Sequence, residues 1–296
     1  MESKRARLAY LCLAPSTLLF LGIIFYPIVR TLLWSVCQIN LNGKITSFVG
    51  LRNFTHLYHD PVFWQVFRQT LIWVISCVGL TTILSIFIAL ALNEKFHGRK
   101  LARAIVLIPW AFSLPMATVV WRWIFHQELG MLNHSLRILG IISESHLIPW
   151  LADPVLAFIS IVIVGIWVSV PFTSIVLLSG LQSIPDHLYE ASRIDGASRI
   201  TSFWHVTLPL LKSTLLVVTL LNIIYVFNSF PIIWILTQGR PVNYTHTLIT
   251  FLYKRAFIET NYGSACAMAV ITFIILLILS YLFTRSLGKN EQEITL

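Results

Sequence analysis

Residues 155–182 read VLAFISIVIVGIWVSVPFTSIVLLSGLQ, a run with no Lys, Arg, Asp or Glu. A hydrocarbon core about 30 Å thick is crossed by roughly 20 apolar residues in a helix. No water there can satisfy an open backbone amide, so such a run must pair its own amides as a helix. Five further runs have the same character: Leu8–Val29, Thr70–Leu92, Ala104–Phe125, Leu211–Thr237 and Gly263–Thr284. The sequence therefore predicts an all-α membrane protein with six spans, residues 1–296 forming a single transmembrane domain. The composition agrees. Of 296 residues, 57% are hydrophobic and 11% charged, with a mean hydropathy of +0.80. A water-soluble fold cannot hide so much apolar surface. A cytosolic enzyme, a disordered chain and a nucleic-acid-binding domain are excluded.

Working outward, the connecting segments set the orientation. Lys4, Arg5, Arg7, Lys95, Arg99, Lys100, Arg103, Arg193, Arg199, Lys212, Arg285 and Lys289 fall on one side, and Lys44, Arg52, Arg137, Arg240, Lys254 and Arg255 on the other. Twelve against six, with a net charge of +9, predicts that both termini are cytoplasmic. The first run exceeds the apolar core of a signal peptide and lacks a small-x-small cleavage site, so it reads as a retained span. Two loops (93–103 and 183–210) are then cytoplasmic, and three (30–69, 126–154, 238–262) are external. Trp64, Trp123 and Trp150 suit interface anchoring.

No Asp or Glu lies in any of the six runs. Intramembrane carboxylates are the usual relays of proton-coupled carriers and pumps, so their absence argues against that class. Arg122, near the outer end of its span, can snorkel to the interface. There is no G-x-x-x-x-G-K-[ST] phosphate loop, and no GxSxG or HExxH. His56 and His59 share an external loop and read as solvated surface. Cys12, Cys37, Cys77 and Cys266 form no CxxC and read as packing residues. Uphill transport by such a chain draws its energy from another subunit.

One cytoplasmic loop is not a linker. Residues 183–211 read SIPDHLYEASRIDGASRITSFWHVTLPLL. Pro185 and Asp186 suit a helix start. Leu188, Ala191 and Ile194 form one short apolar stripe. Asp195-Gly196 is a turn signal. Ala197, Ile200, Phe203 and Trp204 form a second stripe, and Leu208-Pro209 leads into the fifth span. Two short amphipathic helices joined at a sharp turn are expected. Their stripe can lie on lipid, pack on its own bundle or fill a groove on a partner.

The stretch EASRIDGASRITSFWHVTLPLL resembles the E-A-A-x-x-D-G-A-x(5)-F-x-x-I-x-L-P pattern of binding-protein-dependent ABC importer permeases. Glu190, Ala191, Asp195, Gly196, Ala197, Phe203, Leu208 and Pro209 fit. Ser192 replaces the usual second Ala, and Val206 the usual Ile. FVGLRNFTHLYHDPVFWQVFRQT and LIPWAFSLPMATVVWRWIF followed by GMLN resemble the sugar branch, similar to the maltose and glycerol-3-phosphate systems. ILTQGRP departs from that branch's T-x-G-G-P, with Arg240 in place of the second Gly.

The resemblance implies the type I ABC importer permease fold in a bacterial plasma (inner) membrane. The implied partners are a second homologous permease subunit, two ATP-binding subunits and an external solute-binding protein. This chain would bind no cofactor, ATP and Mg2+ being held by the partner ATPase, and would be non-catalytic. Glu190–Pro209 would be the ATPase-coupling segment, with Ala191, Ala197 and Phe203 buried in the ATPase cleft. Glu190 and Asp195 would cap helix ends or pair with partner Arg. The implied cargo is a di- or oligosaccharide or a related polyol.

Polar groups at mid-membrane depth are the candidate sugar contacts. Asn222, Tyr225, Asn228 and Ser229 lie in the fifth span, and the spacing puts Asn222, Tyr225 and Ser229 near one face. Hydrogen bonding between helices is the competing use of those residues. Trp110, Trp167 and Ser169 are further candidates. Pro109, Pro115 and Pro171 are expected to kink helices around a cavity. Two other functions remain open on residues alone: a self-contained secondary carrier or channel for a small polar solute, and a membrane subunit without its own pore.

Overall fold

The computed structural model describes residues 12–143 and 145–294, with side chains through Ser286. Lys4, Arg5, Arg7, the start of the first predicted span and the side chain of Lys289 lie outside the described residues. Five helices among the described residues are long and apolar enough to cross a membrane, and a pair bent by 92° brings the candidates to six when its two halves count as one span. They are Cys12–Ser35, Pro61–Asn93, the pair Arg99–Ala111 with Leu114–Ile124, Pro154–Gln182, Arg199–Leu236 and Tyr262–Ser286. One feature departs from an all-helical chain. Cys37–Ile39 and Ile45–Phe48 form an antiparallel hairpin, with Cys37 opposite Phe48 and Gln38 opposite Ser47.

Several helices extend past their apolar runs, because caps and not hydropathy end them. The second starts at Pro61, where Asp60 Oδ1 accepts from the Val62 N–H at 2.9 Å. The fourth starts at Pro154, where Asp153 Oδ1 accepts from Val155 and Leu156, both at 2.9 Å. An acidic N-cap followed by Pro at the first helical position satisfies and replaces orphan donors together. At the other end of the second span, Arg99 and Arg103 donate to the carbonyls of Asn93 and Leu92. That places cations on the negative end of the helix dipole.

The third span is not one helix. Its halves meet at 92° across Phe112 and Ser113. A proline ring clashes with the carbonyl four residues back and offers it no N–H. For Pro115 that carbonyl belongs to Ala111, the last residue of the first half. The fifth span breaks by the same rule: Pro231 opens Phe230–Leu236, and Phe227, four residues earlier, ends Leu208–Phe227. Pro109 and Pro171 behave differently, and the helices Arg99–Ala111 and Pro154–Gln182 run through them uninterrupted.

Two compact units form. Residues 12–64 and 251–275 make one, residues 65–250 with the chain from 276 the other. In the first, Asn53 Nδ2 donates to the carbonyls of Ser35 (2.8 Å) and Cys37 (3.0 Å), joining helix Arg52–Tyr58 to the hairpin. In the second, Trp73 Nε1 donates to the Val226 carbonyl at 2.9 Å, and Ser85 Oγ to that of Val170 at 3.2 Å. Each bond satisfies a buried polar group and fixes two spans in register. Ala89, Leu92, Leu177, Leu181 and Leu211 form an apolar cluster at one end of this unit.

Candidate functional site

The loop after the fourth span folds as a cap on that apolar cluster. Pro185 precedes the helix Asp186–Ile194, whose Leu188 and Tyr189 are half-buried against the cluster. Asp195 closes the helix through its backbone N–H, which donates to the Ala191 carbonyl at 3.0 Å. Gly196 then takes φ +78°, its N–H donating to Arg193 and the Ala197 N–H to Ser192, each at 3.0 Å. This paired 5→2 and 6→1 closure requires a left-handed residue, which glycine supplies without a Cβ penalty. Ser198 Oγ accepts from the Thr201 N–H at 3.2 Å and starts the next helix.

That next helix is not a separate short one. From Arg199 it runs through a wide π turn, Phe203–Thr207, straight into Leu208–Phe227. Pro209 therefore lies inside a continuous helical run and not at the first turn of the span. The wide turn bonds five residues back, Leu208 N–H to Phe203, ahead of the proline's missing donor.

The predicted stripes also divide. Leu188 faces the protein's own bundle, while Ile194, Ile200 and Trp204 are 86%, 73% and 58% exposed. Of the residues expected to contact a partner, Glu190, Ala191, Asp195 and Pro209 are exposed, and Ala197, Phe203 and Leu208 are half-buried. The outer knobs Ile194, Ile200 and Trp204 belong to the stripes legible in the sequence. Which members point outward is set by the docking of Leu188 and Tyr189.

The intramembrane polar residues do not share one face. Asn222 is buried and donates from Nδ2 to Thr173 Oγ1 at 2.9 Å, and Thr173 in turn donates to the Ser169 carbonyl at 2.8 Å. Ser169 and Ser229 are buried, with hydroxyls that find no hydrogen-bond partner among the described residues. Tyr225 is exposed, as is Asn228, whose Nδ2 donates to its own helix at Ile224. Trp110 is exposed and stacks on Phe172 with ring centres 5.9 Å apart. Trp167 is half-buried, edge-on to Trp121 at 5.6 Å. The open polar and aromatic surface thus belongs to Tyr225, Asn228 and Trp110, while Asn222 joins the fourth and fifth spans. Thr173, four residues after Ser169, is the partner that reading the fifth span alone misses.

Two further sites sit in the connecting loops. In the segment Thr237–Thr250, Gly239 adopts φ +81° and a Cβ there would strike the buried His246 ring. Arg240 is exposed and has no left-handed backbone, so the departure from a second glycine costs the turn nothing. Gly239→Ala is expected to lower membrane abundance severalfold by immunoblot, whereas Arg240→Gly leaves it unchanged.

In the smaller unit Arg255 pairs with Asp60 and, at 3.3 Å, with Glu259. It flanks a recess of about 430 Å³ lined by Gln38, Arg52, Asn53, His56 and Asp60. His56 accepts from Arg52 Nε at 3.3 Å. In the larger unit, Trp150, read from sequence as an interface anchor, donates to Asn133 Oδ1 at 2.9 Å. Asp60→Asn removes a partly buried charged partner of Arg255. The expected cost is about 1–3 kcal/mol, read as a lower melting temperature of the purified protein in detergent.

Residues 81–290 match the family described as binding-protein-dependent transport system inner membrane component. A probable ABC transporter permease protein of Brucella abortus biovar 1 is 44% identical over 97% of this chain and 98% of its own. The trehalose/maltose transport system permease protein MalF of Thermococcus litoralis is 36% identical over 99% of this chain and 97% of its own. Among solved structures, a bacterial ABC transporter involved in import of the acidic polysaccharide alginate superposes with a TM-score of 0.84. Its identity is 22%, and 97% of each chain is covered.

Proposed function

This chain belongs to the binding-protein-dependent transport system inner membrane components, and from that premise we propose that it is one permease half of an ATP-driven sugar importer. Its six crossings form half of the pathway, with a second, homologous permease supplying the other half. An external solute-binding protein delivers the cargo, and two ATP-binding subunits dock on the cytoplasmic side, where both termini lie. The chain itself is non-catalytic. ATP and Mg2+ stay on the ATPase, and this chain's part is to receive its motion.

The observation that carries the reading is the loop at residues 186–204. A rigid glycine-closed turn holds Ile194, Ile200 and Trp204 out from the protein. Exposed apolar knobs beside Glu190, Arg193 and Arg199 suit a groove on a protein better than a lipid surface, which favours a uniformly basic face. Closure of the ATPase dimer around nucleotide would shift the loop and bias the spans between two packings. The relatives' names support the cargo, as do the exposed side chains of Tyr225, Asn228 and Trp110. A hydroxyl donor, an amide and an aromatic plane match the hydroxyls and apolar ring face of a sugar.

The test is reconstitution in proteoliposomes with the partner subunits and the binding protein. Sugar uptake is expected to require ATP, to stop with vanadate and to survive collapse of the proton gradient. Accumulation by this chain alone, with no ATPase present, would sink the assignment.

A further inference from the structure

We infer that Tyr189 and Ser192 lock the docking loop to the foot of the fifth span, so that loop and span move as one body. The inference rests on the docking role proposed above and adds how a push on the loop is carried into the membrane.

The loop helix is separated from the fifth span by the turn at Gly196, and its outer face is exposed. A helix joined only by a glycine turn can roll about that turn. Two side-chain bonds prevent it. Ser192 Oγ lies 2.6 Å from Ser202 Oγ, and Tyr189 OH lies 3.1 Å from Thr207 Oγ1. Both pairs are part-buried beneath the loop. Tyr189 and Ser192 are three residues apart, neighbours on one helix face. Ser202 and Thr207 are five apart. At 3.6 residues per turn, five residues would leave their side chains about 140° apart around the axis. The wide turn Phe203–Thr207 reduces that mismatch, because each residue of a turn closed from i to i+5 advances by less than about 100° around the axis. The π turn therefore has a function beyond accommodating Pro209: it aims both hydroxyls at the loop helix.

Ser192 gives the lock its particular character. It stands where the resembling pattern carries a second alanine, which could pack here but could not hydrogen-bond. With two bonds on one side, the Gly196 closure at the end and Leu188 seated on the apolar cluster, the loop helix has no free axis of rotation. Tyr189 and Ser192 are positioning residues. They touch neither cargo nor nucleotide.

The test uses the full transporter in proteoliposomes, built on a chain whose native cysteines are replaced. Hydroxyl oxygens 2.6 Å apart put the two side chains within bridging reach. Ser192→Cys with Ser202→Cys, oxidised by copper phenanthroline, is expected to keep ATP-driven uptake within twofold of its reduced form. Loss of uptake on oxidation, recovered with reductant, would mean that the two elements must slide, and would overturn the lock. A second variant, Tyr189→Phe with Ser192→Ala, is expected to keep its ATPase bound while solute moved per ATP falls at least threefold. Ser192→Thr with Tyr189 retained is expected to recover the ratio. An unchanged ratio in the double variant also overturns the lock. Failure of the unsubstituted chain to retain any ATPase overturns the docking role itself, and is distinguished by being independent of these substitutions.

Discussion

Replacing Ile194 and Trp204 together by Asp abolishes uptake while leaving the protein in the membrane at its normal level. The two halves of this expectation have separate physical grounds. Ile194 is almost fully exposed and Trp204 keeps only an edge-on contact with Phe203, so their loss removes little packing from the chain itself, and surface substitutions cost little stability. In the assembled transporter they would be the apolar knobs entering the ATPase. Burying one such side chain contributes about 1.5–3 kcal/mol. Two together weaken association by roughly 10²- to 10⁴-fold, before counting the cost of forcing unpaired carboxylates into an apolar groove. Co-purification of the ATPase with the tagged variant measures the first effect, and uptake into proteoliposomes the second. Retention of the ATPase at wild-type stoichiometry would remove Ile194 and Trp204 from the docking surface.

Gly165→Leu is expected to prevent the protein from accumulating. A Cβ at this position would lie 2.6 Å from Cη2 of Trp73 and 2.9 Å from Sγ of Cys77, both fully buried. Neither can retreat. Trp73 is held through its indole N–H by the Val226 carbonyl, and Cys77 Sγ contacts the Val162 carbonyl at 3.8 Å. Even Gly165→Ala is therefore expected to cost about 1–3 kcal/mol, and leucine more, because the second, fourth and fifth spans meet here. The internal control is Gly79, on the same helix as Trp73 and with nothing within 4 Å of a built Cβ. Gly79→Ala is expected to leave abundance unchanged or slightly higher, since alanine is the better helix former by about 1 kcal/mol. Equal abundance of the Gly165→Ala and Gly79→Ala proteins on immunoblots would refute this packing account.

Much of this was readable one residue at a time. The runs that cross the membrane are legible because length and hydropathy are local quantities, and the turn at Gly196 because Asp-Gly is a local signal. Two starts were readable but shifted: Asp60-Pro61 and Asp153-Pro154 mark helix beginnings more sharply than the apolar runs behind them. The breaks at Ala111 and Phe227 follow from counting four residues back from Pro115 and Pro231. The same count at Pro109 and Pro171 gives the wrong answer, for the helices Arg99–Ala111 and Pro154–Gln182 both run through their prolines.

The polar residues of the fifth span show where such reading stops. Spacing gives the angle between Asn222, Tyr225 and Ser229 relative to one another. It says nothing of how the helix is rotated about its own axis. That rotation is chosen by what meets the helix: Thr173 takes the amide of Asn222, and Trp73 takes the carbonyl of Val226. So Asn222 became a joint between spans, and Tyr225 was left on the open side. The amino-acid order alone determined which runs are long and apolar enough to cross a membrane and where the loop after the fourth of them turns, because hydrophobic length and backbone sterics act within a few residues. Which face of each crossing looks inward was decided only in the folded bundle, because that choice belongs to pairs of residues far apart in the chain.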